Sequence, residues 1–166
     1  MMPEQLSSEQ IDAAHRRFAV DCFNECWTHL ERNDRTEEDT RVMIALALAS
    51  RWHWQHVPTR KPENFIRSEW QVSRAYAAAR HPNLAMEHAL SGLEYCKQHG
   101  IGGVDLMCCL EAIARAAALL GLRDKTEQFV TIAREGAQEI EDAETRNLLL
   151  KDLEEVEKLQ SLNPAR

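Results

Sequence analysis

The sequence predicts an all-α fold of about seven antiparallel helices, stacked in hairpins within a single domain over residues 1–166. Neither glycine nor proline occurs between Pro3 and Pro58, and both residues are costly inside helices. Apolar residues recur at steps of three and four along most of the chain, which is the spacing of one helical face. No segment sustains the alternation of apolar and polar residues that marks a strand, so we expect no sheet.

The first two helices are expected to form an N-terminal pair over residues 7–57. Ser7 and Gln10 have the spacing of a capping box, which marks the start of the first helix. Residues at helical steps predict its buried face: Ile11, Ala14, Phe18, Cys22, Cys26 and Leu30. Thr36 caps a second helix that ends before Pro58, since proline disfavours helix in the preceding residue. This second helix is apolar on nearly every side, which predicts a central position.

Two further hairpins are expected over residues 63–140. His81 or Asn83 can cap the fourth helix, at the turn that follows the third. Gly100 supplies the left-handed residue that ends the fourth helix, and Gly121 ends the fifth.

The last two helices are marked by acidic residues at their starts. Asp124 and Glu127 have the spacing of a capping box and predict the start of the sixth helix. Asp142 is placed to cap a last helix over residues 142–160, which we expect to cover the open end of the stack.

Composition and charge exclude several classes of protein. The formal net charge of −7 opposes binding to nucleic-acid phosphates. The longest stretch without a charged residue lies between Arg41 and Arg51, which is too short to span a membrane. The N-terminal residues do not resemble a signal peptide, and the five cysteines form no disulfide pattern. We therefore expect a cytoplasmic protein with reduced thiols that binds neither nucleic acid nor membrane.

Two stretches of the chain coincide when residues 73–78 are laid over residues 114–119. The same offset places Asn83 over Asp124. It also places the residues Ala85, Ala89 and Gly92 over Thr126, Val130 and Ala133. Each stretch would be a helix, a tight turn and a second helix, with small residues where the helices cross closely.

Five positions of these stretches carry a resemblance to a known family. They are an aromatic residue in a first helix, a glycine in a turn and three small residues in second helices: Tyr76, Gly121, Ala85, Gly92 and Ala133. With them, residues 66–140 resemble tetratricopeptide repeats of the longer form found in kinesin light chains and in bacterial peptide-sensing regulators. The resemblance implies a right-handed superhelix whose concave face holds a peptide or a partner helix.

Two positions depart from the pattern of that family. Arg80 stands where the first unit should have its turn glycine, and Ala117 stands at the aromatic position of the second unit. Residues 49–54 and 69–77 also resemble segments of bacterial helical proteins that have no established activity. The resemblance therefore informs the fold and does not predict a chemistry.

A tryptophan- and histidine-rich region is the strongest candidate for a ligand or partner site. Its members are Arg51, His53, Trp54, Glu69, Trp70, Arg74 and Tyr76. Aromatic side chains beside arginine and histidine suit a planar or anionic ligand. Basic residues outnumber acidic ones over residues 51–80, which would steer an anionic partner to this region. The other interpretation is that the tryptophans are core and the polar groups form a buried network.

A metal site is a second candidate. His53 and His56 are one helical turn apart, a spacing that can place two imidazoles on one ion, and Glu69, His81 or His88 would have to complete the site. A second set lies on the first helix: His15, Cys22, Cys26 and His29. Neither set has a recognised zinc spacing, so we expect no bound cofactor.

No catalytic motif is recognised in the sequence. Cys108 and Cys109, near the start of the fifth helix, are the place where a thiolate could be stabilised. The sequence therefore predicts a protein- or peptide-binding helical-repeat module without catalytic activity. The alternative is a small-ligand or metal-binding domain that uses residues 51–76, and a homodimer is expected if one apolar face of this short stack stays uncovered.

Overall fold

The computed structural model describes residues 6–162, which form seven α-helices joined by short connections. The helices are α1 (Ser8–Leu30), α2 (Glu37–Gln55), α3 (Pro62–Ala78), α4 (Pro82–His99), α5 (Gly103–Leu120), α6 (Arg123–Ala137) and α7 (Ala143–Leu162). No strand occurs in this part of the chain, so the predicted all-α class is confirmed. Not one of these seven helices combines the length and the apolar character needed to cross a membrane.

Consecutive helices pack as three pairs, and the last helix covers the final pair. α3 packs against α1 and α2, α5 packs against α3 and α4, and α7 packs against α5 and α6. The four odd-numbered helices therefore follow one another along one side of the stack. α5 is the central helix, because every residue from 109 to 118 is buried.

The predicted repeat is present in the backbone. The starts of α3 and α5, at Pro62 and Gly103, are separated by the same offset as the starts of α4 and α6, at Pro82 and Arg123. This offset is the one that lays residue 73 over residue 114. The repeated unit is therefore a helical hairpin, α3 with α4 and then α5 with α6.

The turns inside the two hairpins close in the same way. A hydrogen bond from His81 N to Tyr76 O, at 2.9 Å, closes the first turn, and one from Leu122 N to Ala117 O, at 3.0 Å, closes the second. Bonds of this span are typical of helix C-termini that end on a left-handed residue.

Several of the predicted helix ends are confirmed. Ser7 and Thr36 form complete capping boxes at the starts of α1 and α2. Asp142 Oδ2 accepts a hydrogen bond from Thr145 N at 2.7 Å and caps α7. Gly100 ends α4 with a φ of 64°, in the left-handed region.

The starts of α4 and α6 differ from the prediction. His81 and Leu122 occupy the positions before these helices, and neither side chain caps its helix. Asn83 and Asp124 lie at the second helical position instead, so the predicted capping box at Asp124 is wrong. A carboxylate in the first turn still interacts favourably with the helix dipole, which explains why Asp124 suits this place.

The N-terminal pair is less buried than its apolar pattern predicts. Ile11 and Phe18 are 42% and 53% exposed, and α1 fully buries only Ala19 and Cys26. Trp52 on α2 is 50% exposed, so the prediction that α2 is central is wrong. The reason is that α1 and α2 form one end of the stack, where no further described helix covers their outer side.

Candidate functional site

The structure divides the predicted tryptophan- and histidine-rich region among several places. His53 lies between α1 and α2, beside the rings of His15 and Phe18 on α1 and of Trp52 on α2. Arg51 and Glu69 belong to a buried polar network between α2, α3 and α4. Trp70 and Arg74 lie on the side of α3 that faces α5 and α7. These residues therefore do not line one common pocket, and each place needs its own interpretation.

A cluster of imidazole and indole rings joins α1 to α2. His15 Nδ1 and His53 Nδ1 lie 2.9 Å apart, so one ring must donate and the other must accept. The ring of His56 stacks on His15 at 5.1 Å and lies 4.1 Å from Trp52. Burial, followed by the charges of His15 and His56, lowers the pKa of His53. The cluster therefore favours a neutral imidazole at His53.

The predicted metal ligands do not converge. His53 Nδ1 bonds to His15, whereas His56 Nδ1 lies 2.8 Å from Trp52 O. On α1, Cys26 Sγ donates to a backbone carbonyl of α2, and burial raises the pKa of this thiol to about 12. Within residues 6–162, no three His, Cys, Asp or Glu side chains are arranged to hold a metal ion.

Two of the predicted aromatic residues pack inside the protein. Trp54 is 7% exposed and clusters with Ala19 and Val57. Tyr76 is half-buried, and its ring stacks on His88 with 5.6 Å between centroids. These contacts agree with the interpretation that part of the region is core.

The carboxylate of Glu69 is fully buried and surrounded by donors. Arg51 Nε and Ser91 Oγ bond to Oε1 at 2.7 and 3.0 Å, and His88 Nδ1 bonds to Oε2 at 2.6 Å. Burial favours the neutral acid, but the hydrogen bonds from His88 and Arg51 outweigh it and lower the pKa of Glu69. Both oxygens are occupied, so this network ties three helices together and is not a free ligand site.

A second charged network joins α3, α5 and α7. Arg74 Nη1 lies 3.1 Å from Glu111 Oε1 and 3.2 Å from Asp152 Oδ1. Arg115 Nε donates to the same Glu111 oxygen at 2.6 Å, and its Nη2 lies 3.4 Å from Glu155 Oε2. Burial opposes ionisation of Glu111, but Arg115 and Arg74 outweigh it and lower its pKa. Burial raises the pKa of Asp152, which lies at the edge of the network.

Trp70 lies beside this second network and contributes a polar atom to it. Its indole N–H helps to lower the pKa of Glu111. Trp70 Nε1 and Glu111 Oε2 are nevertheless buried without a partner in hydrogen-bond geometry among the described residues. The other side of the Trp70 ring meets Trp27 of α1, with 5.3 Å between ring centroids. Trp70 therefore links α1 to the charged network.

The odd-numbered helices line one face of the molecule, which we call the groove, and cavities lined by α3, α5 and α7 open on it. The first, the indole cavity, has a volume of about 210 Å³. Its apolar lining comes from α3, α5 and α7: Ile66, Trp70, Val104, Cys108, Leu148 and Leu149. Arg67 and Asp105, joined at 2.7 Å, also line this cavity. The groove thus offers an apolar opening with a charged rim.

The second cavity, the arginine cleft, has a volume of about 250 Å³. Four arginines and one glutamate line it: Arg35, Arg74, Arg80, Arg115 and Glu155. Arg35 Nη1 donates to three backbone carbonyls, those of His29, Leu30 and Arg32, at 2.9, 2.7 and 2.6 Å. Arg80 is exposed and forms no side-chain hydrogen bond or ion pair with any described residue.

The cysteine pair at the start of α5 is not activated. Cys108 faces the indole cavity, and burial, together with Glu111 and Asp105, raises its pKa to about 12. Cys109 is fully buried beside Cys96, and this contact and its burial raise its pKa. Both shifts favour the neutral thiol, so the stabilised thiolate considered for this pair is not formed.

The charged groove residues outside positions 51–76 were not predicted as site residues from the sequence. Glu111, Arg115 and Asp152 belong to the network of Arg74 but lie far from it in the chain. A signal for the first two was present, because Glu111 and Arg115 are the only charged residues in the buried run 109–118 of α5. A charged pair one turn apart inside an apolar helix indicates a buried ion pair with an outside partner.

Comparison with protein-family models, curated proteins and solved structures finds no match for this chain. The functional conclusion is therefore drawn from the site itself.

Proposed function

We propose that the groove binds an extended peptide segment of a partner protein, and that the chain is a helical-repeat interaction module without catalytic activity. The observation that carries the proposal is that the indole cavity and the arginine cleft both open on the face formed by the odd-numbered helices. Two openings in line suit an extended segment, which can place one side chain in each.

The chemistry of the groove supports recognition rather than catalysis. The carboxylates of Glu111 and Asp152 are committed to arginines, and the Cys108 thiol is held neutral. Tryptophan and arginine side chains, which dominate many binding interfaces, lie side by side at Trp70 and Arg74.

The stacked architecture is consistent with such a role. The equivalent turns and the equal offsets between helix starts support a tetratricopeptide-like stack, in which peptide binding on one face is a common use of the fold. The proposal places the protein in the cytoplasm, where its thiols would stay reduced.

Selection of random peptides displayed on phage tests the proposal. Leu148 lines the indole cavity and is 59% exposed, so Leu148→Glu should block the groove without disturbing the core. Leu90 on α4 is 42% exposed and lies outside the groove, so Leu90→Glu is the matched control.

The wild type and Leu90→Glu should enrich the same group of related peptides, and Leu148→Glu should lose them. The proposal fails if the wild type enriches no related sequences, or if Leu148→Glu retains the same peptides with equal affinity. Equal thermal unfolding of the two variants would show that the difference arises at the groove.

A further inference from the structure

The arginine cleft has an excess of positive charge in a protein whose net charge is −7. Arg74 and Arg115 contact three carboxylates, those of Glu111, Asp152 and Glu155. Arg35 and Arg80 add two cations, so four positive charges face three negative ones.

The guanidinium groups of the cleft keep N–H groups for a ligand. The hydrogen bond and the ion pair of Arg74 both use Nη1. Arg115 uses Nε and Nη2, and Arg35 uses Nη1 for its carbonyl contacts. An arginine often binds a carboxylate through two parallel N–H groups, and the guanidinium of Arg80 has no partner among the described residues.

Arg80 is the cation of the cleft whose side chain forms no hydrogen bond or ion pair with any described residue. Its φ of 62° lies in the left-handed region, which favours glycine. The equivalent position of the next hairpin is Gly121, with a φ of 73°. An arginine at a glycine position, on the lining of a basic cleft, is explained if its side chain binds a partner.

The distance between the two cavities sets the spacing of the groups they would bind. On α5, Cys108 lines the indole cavity and Leu119 lines the arginine cleft. On α3, Trp70 lines the indole cavity and Ala78 lines the arginine cleft. These separations correspond to roughly 12 to 17 Å along the helices. An extended chain covers that distance in about four or five residues.

We propose that the segment bound by the groove carries an acidic side chain, about four or five residues from a bulky apolar side chain. The acidic side chain binds Arg80 in the arginine cleft, and the apolar side chain fills the indole cavity next to Leu148. This inference rests on the proposed function, because it specifies the chemistry of the peptide that the groove binds.

Fluorescence anisotropy with three pools of labelled peptides tests the inference. Each peptide is acetylated and amidated at its ends, so no terminal charge contributes. Every pool fixes a leucine and places one glutamate, glutamine or lysine about four residues away, in both chain directions. The glutamate pool should bind about tenfold more tightly than the glutamine pool, and the lysine pool most weakly.

Variants of two exposed arginines locate the effect. Arg80→Gln should lower the affinity for the glutamate pool by about tenfold and leave the glutamine pool unchanged. Arg123 on α6 lies outside the groove and is 69% exposed, so Arg123→Gln is the control that should change neither pool.

Each other outcome overturns the inference. Equal binding of the glutamate and glutamine pools shows that the groove does not select acidic segments. If Leu148→Glu abolishes that binding, the proposal that the groove binds peptides is still supported. If no pool binds, the inference fails, and the random-peptide selection decides separately whether the groove binds peptides at all. If Arg80→Gln and Arg123→Gln lower the affinity for the glutamate pool equally, the preference for acidic peptides arises from the net charge of the protein and not from the arginine cleft.

Discussion

Arg80 and Gly121 adopt the same left-handed backbone conformation, with φ angles of 62° and 73°, at equivalent turns of the two hairpins. Among the described residues, Arg80 is the one non-glycine residue with a positive φ. For a residue with a Cβ this conformation costs on the order of 1 kcal/mol. The two turns are therefore equivalent in geometry, and only the second has the residue that suits it.

Replacement of Gly121 by alanine should lower the free energy of unfolding by about 1 kcal/mol. No neighbouring atom lies within 4 Å of the added Cβ, so the loss would come from the backbone conformation alone. Denaturation by guanidinium chloride measures it.

The reciprocal change, Arg80→Gly, should leave the free energy of unfolding unchanged or raise it by up to about 1 kcal/mol, because strain is removed. The same denaturation experiment measures it. If Arg80→Gly destabilises the protein as much as Gly121→Ala does, the two turns are not equivalent and the backbone interpretation of Arg80 is wrong.

Gly92 marks a close approach of α4 to α5. A Cβ at this position would lie 2.9 Å from Cys109 Sγ, which is buried. Gly92→Ala should therefore lower the free energy of unfolding by about 1 kcal/mol. In a Cys109→Ala background the clash is absent, and the same change should raise stability by a similar amount through helix propensity.

The sign reversal at Gly92 distinguishes a steric effect from a general helix effect. Thermal and chemical denaturation of the single and double variants measure it. Equal effects of Gly92→Ala in both backgrounds would rule out the contact with Cys109.

Glu111 holds two largely buried arginines, Arg74 and Arg115, together. Glu111→Gln removes the shared negative charge and should lower the free energy of unfolding by about 2–3 kcal/mol, because both guanidinium groups lose a buried partner. Glu127 on α6 is 61% exposed, and Glu127→Gln should change stability by less than about 0.5 kcal/mol.

A double variant tests whether the loss at Glu111 comes from unpaired charge. Glu111→Leu combined with Arg115→Met replaces the pair by apolar groups, and it should lose less stability than Glu111→Gln alone. If the double variant is less stable than Glu111→Gln, the network stabilises the fold by more than the pairing of opposite charges.

The ring cluster around His53 should make stability depend on pH. The pKa of His53 is lowered in the folded protein, so the unfolded chain binds a proton more readily. The contribution of His53 to stability is therefore complete above its pKa in the unfolded chain, about 6.5. It is lost as the pH falls through the pKa of His53 in the folded protein.

Denaturation at about pH 7.5 and about pH 5.5 measures this effect, with His53→Gln as the comparison. The free energy of unfolding of the wild type should fall more between the two pH values than that of His53→Gln. An equal fall in both proteins would show that the pH dependence does not arise from His53.

Much of the fold was predictable because helix starts and stops are local signals. The capping boxes at Ser7 and Thr36 and the left-handed glycines Gly100 and Gly121 lie where the residue types require them. The exposure of Phe18 was not predictable in the same way. An apolar helical face is buried only if another element covers it, and this depends on where the stack ends.

The candidate site was predictable only in part. Trp70 and Arg74 were identified, but the partner Asp152 lies on α7, far beyond Arg74 in the chain. His53 and Glu69 were grouped with them through closeness in sequence, although they point to different sides of the stack. Residues on different helices meet only where those helices pack against each other, and the spacing of residues in a single sequence does not show which helices do so.

An amide chemical-shift map of the isotope-labelled protein, titrated with a peptide recovered from the phage selection, tests the groove most directly. The largest shifts should fall on the groove side of α3, α5 and α7, at Trp70, Arg74, Cys108, Arg115 and Asp152. Shifts concentrated on α4 and α6, or on His15 and Trp52 between α1 and α2, would contradict peptide binding in the groove.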